Sequence, residues 1–288
     1  MIRPSVAVRR TVPRASSGEP DGGLFGPGSL AWRIDREVLV LGGGTCALLL
    51  QLAHPAVAAG VAQHSTFRDD PFARLRRTLV ATYAVVFGSR SRAERAIARI
   101  NAIHATVRGA IPESGRAYDA RDPRLLLWVH ATLIDTAVRI YDRFVTPLDG
   151  DDAQAYHAES RQIAVRLGVP ESLVPATLVE LRAFMAGMVA GGEVAVSPTA
   201  RLLAPAVRHP TRFPPRFVWD LAHLASDSVM HPEVRRQYGI PWSARREAGV
   251  RRIAAASRRL LPAVPAPLRF VPHARSAERR LRRSRPAA

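Results

Sequence analysis

The chain has 288 residues, 47% hydrophobic but only 6% aromatic, so it can bury a sizeable core made mainly of Ala, Leu, Val and Ile. Its formal net charge of +18 is carried by arginine without any lysine, and the one cysteine, Cys46, excludes an internal disulfide or a cysteine-cluster metal site. Residues 1–28 carry four Arg against two acids, residues 29–244 carry 25 against 20, and residues 245–288 carry 13 against two, so most of the excess is C-terminal.

Residues 1–28, rich in Pro, Gly and Ser, read as a flexible arm. Arg9-Arg10 is followed by Thr11-Val12-Pro13 and no apolar run, which argues against a secretory or twin-arginine signal; the expected location is cytoplasmic. Helical patterning starts near Ala31, with segments over 30–41, 45–54 and 55–63. The uncharged stretch from Val38 to Phe67 is long enough to span a membrane. It contains Gly42-Gly43-Gly44, Gln51, His54-Pro55, Gln63 and His64, a composition that predicts two buried helices and a turn instead. Helices follow over 71–87 and 91–108, stopped by Gly88 and Gly109.

Asp122-Pro123 supplies a cap and a first-turn proline, opening a helix to about Phe144. Further helices are expected over 151–167 and 175–191, the first stopped by Gly168-Val169-Pro170. Pro198, Pro205, Pro210, Pro214 and Pro215 should break the next stretch into short pieces. Helix resumes over 215–238 and 243–261, before a turn containing Pro262, Pro265 and Pro267. The Arg-rich residues 273–288 read as a basic tail, able to touch an anionic surface weakly but more simply a solvated terminal helix, leaving 29–272 as the folded domain. Specific nucleic-acid reading is not expected, because the arginines lack interleaved aromatics and any reader motif. With no alternation of strand and helix patterns, the expected fold class is all-α, one multi-helix domain.

Several chemistries are missing from the pattern. Gly42-Gly43-Gly44-Thr45 lacks the lysine and spacing of a phosphate-binding loop, and there is no Gly-x-Ser-x-Gly elbow or His-Glu-x-x-His helix. Asp220-x-x-His223 stands alone where a di-iron bundle needs paired Glu-x-x-His motifs.

The histidines carry more information. Ile97, Ile100, His104 and Val107 share a helical face, so His104 should point inward, where a neutral imidazole can ligate haem iron through one nitrogen. The plainer reading is a core histidine bonded to a carbonyl. His130, among Leu126, Leu127, Leu133 and Ile134, is a rival ligand or an orienting partner. For His54 and His64 a structural cap or hinge is at least as good a reading as a role in the site. Arg74, Arg77 and Thr78 stand at i, i+3 and i+4, and their face continues through Ala81, Thr82 and Val85. Guanidinium groups on a half-buried face need anions: haem propionates, a substrate oxygen, or acids of another helix.

In order and spacing, these blocks resemble the mpaB/rubber-oxygenase catalytic family. The carriers are Gly43-Gly44-Thr45-Cys46 through His54-Pro55, Gly60-Val61-Ala62-Gln63-His64-Ser65, the Arg74-x-x-Arg77-Thr78 face with Phe87-Gly88, His104 to Gly109, and Asp122-Pro123 through His130. The resemblance implies a globin-like helical core around a haem b pocket and oxygenase chemistry. By position, His104 is similar to the proximal iron ligand, and Arg74 and Thr78 to the polar residues beside the haem. Arg77 takes the neighbouring distal place, where the rubber-cleaving branch carries a lysine. A guanidinium is a poor iron ligand. That branch also uses an upstream acid, whereas no Asp or Glu occurs between Glu37 and Asp69 here.

The expected function is therefore a haem b (iron)-dependent oxygenase that takes dioxygen and a small or medium apolar substrate, an isoprenoid or lipid rather than rubber. Arg74, Arg77 and Thr78 are the expected catalytic side chains, with His104, Arg74 and His130 about the cofactor and His104 on the metal. A non-catalytic haem- or lipid-binding protein on the same fold is the alternative.

Overall fold

The computed structural model describes residues 21–65, 71–209 and 215–284, without the side chains of 71–75, Val218 and Leu221. Residues 1–20 of the expected arm and 285–288 of the expected tail lie outside the described residues. Among the described residues, fourteen α-helices and one two-stranded ribbon confirm the all-α class.

The first helix, α1 (Leu30–Asp35), starts where the Ser29 hydroxyl accepts from the Trp32 amide. The sequence reads one helix over 30–41, but the α-helix stops at Asp35 and a 3-10 segment, Val38–Gly43, follows. Glu37 explains the break. Its backbone is extended and its carboxylate, only 1% exposed, takes a two-pronged contact from Arg269 at 2.6 and 3.0 Å. Removing one partner of such a pair strands a buried charge, a loss of about 3–5 kcal/mol. The Glu37–Phe270 bridge and the Val271 amide bond to Arg36 O tie the same place to the C-terminal region.

Helices α2 (Gly44–Leu52) and α3 (Pro55–His64) turn at His54-Pro55, where the His54 ring accepts from the Ala56 amide at 3.2 Å. The two predicted helices and their turn are present; with the preceding 3-10 segment they form a pair bent by 103°. Among the described residues no single helix is long and apolar enough to cross a membrane.

Helices α4 (Pro71–Phe87) and α5 (Arg90–His104) form a tight hairpin. Ser89 caps α5, and the Asp21 carboxylate accepts the Arg90 amide. The predicted helix over 91–108 ends at His104. Its last residues enter an antiparallel ribbon, β1 (Arg108–Ala110) with β2 (Ala117–Asp119), in the register Gly109↔Tyr118. Gly109 fits because an added Cβ would stand 2.5 Å from the Gln63 side-chain oxygen.

The core surrounds α6 (Pro123–Ile140), capped by Asp122 and extended by a π turn over Tyr141–Val145. Trp128, fully buried, donates to Leu50 O at 3.1 Å and so ties α6 to α2. At Gly43 a Cβ would meet Thr136 Cγ2 at 2.6 Å and Ile140 Cγ1 at 2.9 Å, so this glycine serves close packing on α6. Next to α6 lie α7 (Gly150–Arg166), α8 (Leu178–Ala190) and α10 (Arg216–Val229).

Between α8 and α10, α9 (Pro198–Arg208) is an eleven-residue helix that accommodates Pro205, where the sequence suggests shorter pieces. Buried Ala200, Leu203, Ala204 and Val207 anchor it while Pro205 faces outward. The predicted helix over 215–238 is divided by His231-Pro232, leaving α11 (Pro232–Gln237) separate. After α12 (Ala244–Leu260) and α13 (Ala266–Arg269), the Arg-rich end is α14 (Pro272–Arg283). Through residue 283, then, the basic tail is helical, as its simpler reading has it, but docked rather than solvated. Ala274, Ala277 and Leu281 join Trp32, Tyr83, Phe87 and Val271 in a second apolar cluster, while Arg279, Arg282 and Arg283 are exposed.

Candidate functional site

The α4–α5 hairpin gathers four of the five sequence candidates toward one end. Arg74 precedes the end of α4 by 13 residues and His104 follows the start of α5 by 14, so at 1.5 Å per residue both backbones stand about 20 Å from the turn. Arg77 and Thr78 are one turn nearer to it. Both are exposed, although the pattern of their face suggests partial burial. The Arg74 side chain lies outside the described residues.

His104 ends α5 half-buried. Its face is less buried than the pattern suggests, since Ile97 is buried whereas Ile100 and Val107 are only partly covered. The ring atom Nδ1 is shut off from water and has no hydrogen-bond partner. Loss of hydration lowers the pKa of His104, which favours the neutral ring near pH 7. An unpaired lone pair on a neutral imidazole is a ready ligand for a metal or a proton donor.

His130 stands on a different helix from these four residues. It lies on α6, 5% exposed, with Nε2 buried and without a partner. Burial, and then the charge His157 would carry, push its pKa down to about 3. Of its expected stripe, Leu126, Leu127 and Ile134 are buried, but Leu133 is 43% exposed on the far side. His157, fully buried on α7, donates through Nε2 to Pro175 O at 3.0 Å and leaves Nδ1 without a partner.

The caps behave differently. His54 opens α3, and exposed His64 bonds to Arg108 O at 3.0 Å, joining α3 to the ribbon. His223, from the isolated Asp220-x-x-His223, bonds to Arg208 O, while Asp220 receives His209 at 3.0 Å. Among the described residues no three His, Cys, Asp or Glu side chains gather as a bare metal site. A haem asks the chain for an axial side chain and for cationic partners of its propionates. His104 Nδ1 and the arginines of α4 fit that donor set.

Sequence reasoning missed two features. His157 was legible, since Ala153, Tyr156, His157, Ser160 and Ala164 repeat with inward helical spacing. Asp35 was not: its carboxyl, pushed up to about 7 by burial, accepts from Tyr156 at 3.0 Å and lies near Glu159, contacts made only by folding.

Comparison with known proteins agrees with the resemblance. Residues 32–259 match the family described as ER-bound oxygenase mpaB/B'/Rubber oxygenase, catalytic domain. Two uncharacterized proteins, Mb2261 of Mycobacterium bovis and Rv2237 of Mycobacterium tuberculosis, are each 31% identical over 134 residues, covering 44% of this chain and 51% of their own. The chain thus spans about half the length of the curated relatives it matches. No solved structure matches it.

Proposed function

The chain belongs to the mpaB/rubber oxygenase catalytic-domain family, and on that premise we propose that it is a haem b-dependent oxygenase acting on a small or medium apolar substrate such as an isoprenoid or lipid. The observation that carries the haem reading is His104 Nδ1, buried, unpartnered and on a ring kept neutral, at the hairpin end shared with Arg74, Arg77 and Thr78. Bound there, a haem supplies the redox chemistry for using dioxygen, which amino-acid side chains lack.

The residues' own tasks follow from their chemistry. His104 would hold the iron through the unpaired Nδ1 of its neutral ring. Arg74 pairs with a propionate. Arg77 and Thr78, exposed on the same face, offer hydrogen-bond donors to oxygen atoms of the reactants. Arg77 remains a donor where the rubber-cleaving branch has a possible ligand, because its guanidinium keeps its proton.

Two measurements test the reading. Full-length protein titrated with haem should give a saturable Soret band that His104→Ala loses. With a short polyprenyl substrate, the loaded protein should consume dioxygen. A Soret band unchanged in His104→Ala rejects the ligand assignment. Tight haem binding without turnover of any apolar substrate favours the non-catalytic alternative.

A further inference from the structure

At the opposite end of the hairpin, a cavity of about 410 Å³ opens between the last turn of α4, the first turn of α5 and the first three turns of α14. Its floor is aromatic. The Tyr83 ring lies 5.6 Å from Phe87 and 5.1 Å from the His273 imidazole. The polar lining is Arg92, His273, Ser276 and Arg280, and it includes no carboxylate. Among the described residues, neither arginine takes part in a salt bridge. Asp21, nearby, has its carboxylate engaged by the Gly23 and Arg90 amides.

Two polar atoms here are shut off from water and unmatched: His273 Nδ1 and Arg280 Nε. Arg280 Nη2 is held by Phe87 O at 3.2 Å, which fixes the guanidinium against the cavity wall. A buried donor without an acceptor is costly, more so on a charged group. Burial and the charge of Arg92 lower the His273 pKa, so the ring is neutral and adds no repulsion of its own. An oxyanion in the cleft would be met by the guanidinium groups of Arg92 and Arg280 and by the Ser276 hydroxyl, while the enclosed Arg280 Nε leaves that guanidinium short of acceptors. The volume falls within the range of small-molecule sites, roughly 300–1,000 Å³.

We infer that this cleft binds a small organic anion, a carboxylate or phosphate on a short apolar body, with the charged head between Arg92 and Arg280 and the body on Tyr83 and Phe87. The site does not rest on the haem reading, since its α4 residues lie about 14–20 Å along the helix from Arg74.

Calorimetry on the full-length protein tests it with four probes: octanoate, octyl phosphate, octanol and inorganic phosphate. One of the two amphiphilic anions should bind with one-to-one stoichiometry at least tenfold more tightly than octanol or inorganic phosphate. Whichever of the two binds more tightly identifies the head group. Arg92→Gln, a change at an exposed residue, should weaken that binding at least fivefold, and Arg280→Gln more. Imidazole proton signals of His273, identified by their loss in His273→Gln, should shift during the titration. Equal binding of octanol, no binding of either anion, or full affinity in folded Arg92→Gln and Arg280→Gln would overturn the assignment.

Discussion

His104 and His130 each keep a ring nitrogen away from water without a partner, yet their surroundings differ. His130 sits in the middle of α6, 5% exposed, against the equally enclosed His157 of α7. His104 sits at the last turn of α5, half open, with burial as the one cause of its lowered pKa. Burial favours the neutral form of both imidazoles, but His104 is partly exposed at a helix end whereas His130 is enclosed in the core. A lone histidine on an apolar face is therefore ambiguous until its access is known.

The comparison can be broken at either residue. The largest effect is expected from His130→Ala, which empties a core site and should cost about 2–4 kcal/mol in urea unfolding while leaving haem uptake per folded molecule intact. Loss of the Soret band in folded His130→Ala, with retention in His104→Ala, would exchange the two roles.

Acid should produce the next effect. The unfolded chain takes up a proton near pH 6.5 that folded His130 refuses until about 3, so stability is complete above the unfolded value and falls through that window. At pH 5 the loss from His130 is about 2 kcal/mol. Unfolding midpoints of wild type and His130→Leu across pH 4–7 should diverge accordingly; parallel curves would show that the ring is not enclosed.

Smaller again is Arg77→Gln, expected to keep the Soret band and lower substrate-dependent dioxygen uptake about tenfold, below the loss typical of an enclosed donor because Arg77 is exposed. Last, His104→Ala should change the stability of the haem-free protein by less than about 1 kcal/mol, as expected for a partly exposed position.

Much of the helix order was legible because Gly, Pro and capping residues mark its boundaries: Asp122-Pro123 opens α6, Ser89 opens α5 and His54-Pro55 opens α3. Long-range contacts were not legible. The stop after α1 depends on Arg269, 232 residues away, drawing Glu37 inward. Docking of α14 depends on the Trp32–Phe87 surface, which the Arg-rich sequence of the helix does not announce. At the site, spacing put Arg74, Arg77 and Thr78 on one helix face; that His104 shares their hairpin end follows from the two-residue link between α4 and α5, which the structure supplies. Their exposure was not legible, because it depends on which neighbouring helix covers them. The cleft at the other end joins residues nearly 190 positions apart, so no local pattern contains it.

Resonance Raman spectroscopy of the ferrous, haem-loaded protein bears most directly on the division between the two histidines. The account predicts an iron–imidazole stretching band in wild type and His130→Ala that is absent from His104→Ala. An undiminished band in folded His104→Ala would contradict it.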